Sequence, residues 1–113
     1  MVTQNNDQYN GKVKINGRTY QTVAYRLAEF RKQFPVASKW NIETECLHRD
    51  KESVVFKATI KTPEGQVVAT GHAEEWRNSS YINRTSAYEN AETSAIGRAL
   101  ASAGYIGAEF ATA

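Results

Sequence analysis

Apolar residues recur along this chain with two different periods. Val23, Leu27, Phe30 and Phe34 fall at the spacing of a single stripe on an amphipathic helix, and Pro35 predicts its end. Arg26, Glu29 and Lys32 are expected on the opposite, solvated side. The period then drops to two. Val54, Phe56, Ala58 and Ile60 alternate with Lys57, Thr59 and Lys61, which predicts a strand with one buried and one exposed face. Strands are expected on either side of it, from about Trp40 to His48 and from Val67 to Trp76. The Pro63-Glu-Gly-Gln66 segment predicts a tight turn, and Asp50-Lys-Glu52 a short polar link. Links this short make sequence neighbours into sheet neighbours, so the three strands are expected to form an antiparallel meander.

Helical spacing returns near the C-terminus, where Tyr88, Ala91, Ala95, Ala99 and Ala103, with Ile96 and Leu100 beside them, form a second stripe. Ser86 and Glu89 stand at capping-box spacing, which places the helix start near Ser86 and leaves Asn83-Arg-Thr85 as loop. Gly104 is placed to end it. So many alanines would let the helix lie close against a sheet or a neighbouring subunit. Gly97 inside a helix costs about 1 kcal/mol relative to Ala, which points to close approach by another backbone or a ligand. At the other end of the chain, Lys12–Ile15, the Asn16-Gly17 turn signal and Arg18-Thr-Tyr20 predict a small hairpin. The expected fold class is α+β, with an N-terminal helix, a three-stranded antiparallel β-meander and a long C-terminal helix packed on the sheet.

Composition adds the organisation. A length of 113 residues fits one domain with one core. The polar start predicts a flexible arm over residues 1–10, a single domain over 11–106 and a flexible tail over 107–113. No apolar run approaches the ~20 residues needed to cross a bilayer, and no secretion signal is evident, so a cytoplasmic protein without membrane contact is expected. The one cysteine, Cys46, lies in strand alternation and reads as a small core hydrophobe.

Charge and chemistry point to binding. The formal charge of +2 is mild, but seven basic residues and one acid lie between Lys12 and Lys39, while Glu43, Glu45, Asp50 and Glu52 crowd the next segment. His72 and Glu74 would share a strand face, yet a zinc site needs three or four converging ligands, and His48 and Cys46 complete no known spacing. The glycines form no phosphate loop, and there is no nucleophile elbow. No catalytic residue, metal or cofactor is therefore expected. The stretch from His72 to Tyr105 instead joins a polar loop containing arginines and aromatics to the alanine-rich helix, a surface suited to a phosphate backbone. Arg98 on the helix, Arg77 and Arg84 in the loop, and Lys57 and Lys61 on the outer strand face are the expected phosphate contacts. Trp76 and Tyr81 are the expected stacking groups for bases.

The segment from Glu89 to Leu100, ending Gly97-Arg-Ala-Leu100 and followed by Gly104-Tyr105, resembles a helix of the single-strand annealing proteins of the Erf and Rad-fifty-two-like superfamily. The resemblance implies a phage-type recombination protein that binds single-stranded DNA and promotes annealing in the bacterial host cytoplasm. It further implies a ring or helical homo-oligomer and a phage exonuclease or replication protein as partner. Two alternatives are a monomeric protein that protects single-stranded DNA and a protein-interaction accessory module of a recombination or replication complex.

Overall fold

The computed structural model describes residues 12–15 and 18–105, with side chains from Gln21 onward. The expected arm and tail, and the Asn16-Gly17 turn, lie outside the described residues. Strands β1 (Lys12–Ile15) and β2 (Arg18–Gln21) pair antiparallel, as the hairpin signal implies. Helix α1 (Val23–Gln33) follows, capped at its start by Thr22, whose hydroxyl accepts from the Tyr25 N–H. A short 3₁₀ turn (Val36–Ser38) leads to β3 (Asn41–Arg49), β4 (Ser53–Lys61) and β5 (Val67–Trp76). These form one antiparallel sheet in the order β3-β4-β5. Helix α2 (Asn83–Ser102) closes the fold.

The core lies between the sheet and α2. From the sheet come Val54, Phe56, Ala58, Ile60, Ala69 and Ala73; from the helix come Ala87, Ala91, Ala95, Ala99 and Leu100. Ala87, Ala91, Ala95 and Ala99 are fully buried and Ala103 partly so, and the helix backbone rides directly over the strands. Gly71 on β5 marks the closest approach: a Cβ there would overlap the Ala99 nitrogen and the Ala95 carbonyl oxygen and lie 2.8 Å from the Arg98 carbonyl carbon. Helix α1 packs beside α2 and closes one end of the core with Phe30, which is edge-on to Tyr105 and tilted against Phe34, itself stacked on Trp40. No helix of the described residues is long and apolar enough to cross a membrane.

Two details differ from expectation. Arg26 is not on a solvated face: it is 9% exposed, and its Nη1 donates to the Gly97 carbonyl at 2.9 Å and the Tyr105 carbonyl at 3.1 Å. Burial lowers its pKa by desolvation. Gly97 is what makes room, since a Cβ there would meet Val23 Cγ2 at 2.8 Å and Arg26 Nη2 at 3.0 Å. The close approach predicted at Gly97 is thus that of α1 side chains. The second difference is the start of α2, which lies at Asn83 rather than Ser86; Ser86 departs from helical angles (φ −123°, ψ 19°), so a first turn over residues 83–85 meets the main helix at a kink.

Candidate nucleic-acid interface

The end of the domain where the β3–β4 turn meets the β5–α2 loop is organised by backbone-directed polar bonds. Asp50 gathers the turn: its Oδ1 accepts from the N–H groups of Glu52 (2.8 Å) and Ser53 (2.9 Å), and its Oδ2 meets His48 Nε2 at 2.9 Å. The two N–H bonds, Ser53 first, hold its carboxyl at about 2, below the ordinary 3.8, with His48 adding to the shift. Arg77 ties the loop to this turn, donating from Nε to the Asp50 carbonyl at 2.9 Å and from its N–H to the Glu52 carbonyl at 2.9 Å.

The loop itself is built around Asn83, which is 4% exposed. Its two Nδ2 hydrogens are shared among Glu75 Oε1 (2.7 Å), Ser79 Oγ (2.8 Å) and the Trp76 carbonyl (3.1 Å), and its Oδ1 accepts from Asn90 Nδ2 at 2.7 Å. The start of α2 is no cradle for an anion. The N–H groups of Asn83, Arg84, Thr85 and Ser86 already donate to Ser80 Oγ, the Tyr81 carbonyl and, twice, the Ile82 carbonyl.

Of the expected contact residues, this end brings together Arg77, Arg84, Trp76 and Tyr81. Trp76, Tyr81 and Arg84 are exposed, whereas Arg77 is half-buried and committed to the turn. The other three stand elsewhere. Arg98 lies 14 residues beyond Arg84, about 21 Å along the helix axis, with its Nη1 bonded to the His72 carbonyl at 2.8 Å on the free edge of β5. Lys57 and Lys61 sit on the outer face of β4. Lys57 lies opposite Glu45 and His72, and Lys61 pairs with Glu43 at 3.0 Å. Acidic neighbours thus offset the basic groups on that face, because cross-strand neighbours stand within about 5 Å.

Sequence reasoning passed over Lys51 and Asn83. Lys51 is exposed in a link that looked merely solvated, and the bonds of Arg77 to the Asp50 and Glu52 carbonyls show that it shares an end with Arg84. Asn83 read as loop, whereas it is the buried hub of the segment. Among the described residues neither Lys51 nor Arg84 has a side-chain partner. Arg49, by contrast, lies over the Tyr88 ring at 4.6 Å.

Comparison with known proteins decides the family. A family model described as Slr1353 N-terminal dsRNA-binding domain-like matches residues 27–103, more than half of the chain. The chain belongs to this family. The match runs from within α1, through all three strands of the sheet, to the end of α2, so it covers the packed unit rather than a single motif. No curated protein and no solved structure matches the chain. The resemblance to the Erf and Rad-fifty-two-like superfamily is thereby overturned. The residues that carried it have packing roles: Gly97 admits α1, Arg98 covers a strand edge, and Ala99 and Leu100 are core. A short segment with those duties suits any helix laid closely on a sheet, so it could not discriminate between families.

Proposed function

We propose that this domain binds the sugar–phosphate backbone of an RNA double helix and acts by binding, without a catalytic step. The observation that carries the proposal is the family match from within α1, through the meander, to the end of α2. An A-form duplex presents a major groove too deep and narrow for side chains, so recognition relies on shape, phosphates and 2′-hydroxyls. Lys51 and Arg84, the unpartnered cations at the Asp50–Arg77 end, are the proposed phosphate contacts, and Arg77 is a positioning residue that holds the turn against the loop. Basic and acidic groups nearly balance at this end, where Asp50, Glu52 and Glu75 stand near Arg49, Lys51, Arg77 and Arg84. Affinity would then depend on few ionic contacts, and the slope of log K against log salt should be about −2.

Fluorescence anisotropy with a labelled RNA duplex of about 16 base pairs, the matching DNA duplex and single strands tests the reading. Preferential binding of duplex RNA, with Lys51→Ala and Arg84→Ala each flattening the salt slope by about 1, is the expected result. No duplex binding at low salt overturns it. Single-stranded DNA as the ligand is the second reading, favoured by the exposed Trp76 and Tyr81, and tighter binding to the DNA single strands would install it instead.

A further inference from the structure

Backbone contacts to a duplex leave three side chains, one at the end of β5 and two in the loop after it, without a role. Trp76 is 51% exposed, Tyr81 84% and Ile82 62%. Phe30, Phe34, Trp40, Phe56, Tyr88 and Tyr105 all pack ring against ring, whereas neither Trp76 nor Tyr81 stacks on another aromatic among the described residues. The backbone beneath these two rings is nonetheless pinned. The Trp76 carbonyl accepts from Asn83 Nδ2, from the Ser79 N–H at 3.1 Å and from Ser79 Oγ at 2.8 Å, and the next residue is tied to the β3–β4 turn. A fixed base lowers the ordering cost of using such rings in a contact.

Base faces inside a duplex are covered by their stacked neighbours, so an aromatic ring can meet one only where pairing stops, at an end, a bulge or a loop. The same end of the domain carries the unpartnered Lys51 and Arg84, which complement the phosphates on either side of such a base. We propose that the β5–α2 loop binds an unpaired RNA base beside a duplex, with Trp76 and Tyr81 stacking on it while Arg84 and Lys51 hold the adjoining phosphates. This rests on the duplex-binding reading and narrows its ligand to a junction between paired and unpaired RNA.

The test compares, for the full chain, a blunt RNA duplex with the same duplex carrying a short single-stranded 3′ overhang. The overhang should tighten binding on the order of tenfold, the size of one or two base–aromatic stacks. Trp76→Ala and Tyr81→Ala should each remove most of that gain and leave blunt-duplex affinity unchanged, while Trp76→Phe should retain the gain. Circular dichroism melts of each variant establish that the fold is intact, and Tyr81, the more exposed ring, provides the variant least able to disturb it. Equal affinity of the wild-type chain for both duplexes overturns the proposal and leaves duplex binding standing. Failure to bind the blunt duplex overturns the reading beneath it. If the alanine variants abolish a concentration-dependent self-association in light scattering and leave RNA affinity untouched, the rings serve a protein interface and the proposal falls.

Discussion

A methyl group at position 71 would have no space, and one at position 97 would have a little. At Gly71 the obstacle is α2 backbone, which cannot move without lifting the helix from the sheet; at Gly97 it is the ends of the Val23 and Arg26 side chains. Gly71→Ala should therefore destabilise the domain by about 3 kcal/mol or more, at or beyond the upper end for overpacked cores. Gly97→Ala gains about 1 kcal/mol of helix propensity against its clash and should cost clearly less. Urea denaturation of the two variants checks the ranking, and an equal loss would contradict it. Asp50 supports a prediction in pH. Its carboxyl is depressed in the folded chain, so the stability it contributes is present above the unfolded value and is lost as pH falls through the folded one. The deficit of Asp50→Ala relative to wild type should be constant near neutrality, shrink below 3.8 and be smallest below about 2, read as the urea midpoint across that range.

Among the elements, β3 and β5 are the edge strands of the sheet, and α2 covers part of the β5 edge. Arg98 donates to the His72 carbonyl, and Ser102 Oγ donates to the Thr70 carbonyl at 3.4 Å, so two helix side chains occupy acceptors that another strand would seek. Arg98→Ala should leave the melting temperature and duplex affinity nearly unchanged and raise self-association at high concentration, as measured by light scattering. A loss of RNA affinity would return Arg98 to the interface. The elements themselves were legible in the sequence because their periods were clean: β5 has the expected bounds, and the alternation of Val54, Phe56, Ala58 and Ile60 matches their burial. The start of α2 was not legible, because the capping-box spacing of Ser86 and Glu89 concealed an extra turn held by Asn83 bonds to residues up to eight positions away. Arg26 misled for a similar reason. Its helical phase put it among polar residues, whereas its partners lie 71 and 79 residues further along the chain.

At the scale of the whole molecule, the α+β architecture followed from local pattern, but which cations share one end of the domain did not. Residue type and predicted element nominated seven contact groups. Three of them stand outside the Asp50–Arg77 end because charges on a strand face or a helix flank are placed by the fold and not by their spacing. What joins the turn of Lys51 to the loop before Arg84 is a pair of hydrogen bonds from Arg77 to the Asp50 and Glu52 carbonyls, and such pairings leave no trace in composition or periodicity. Family assignment failed for a related reason: the segment that prompted it reports how tightly a helix sits on a sheet, a property many lineages share.

That tightness governs how the protein can change over generations. Gly71 and the alanines facing it are constrained from both sides: a larger residue at 71 meets α2 backbone that no exchange of a facing side chain can clear, and a larger residue at a buried alanine meets the sheet. Single-step variants there should be purged, and inherited diversity should accumulate in the turn, the loop and the outer sheet face. The contact between helix and sheet thus leaves free for innovation the turn and the loop that carry the proposed ligand contacts.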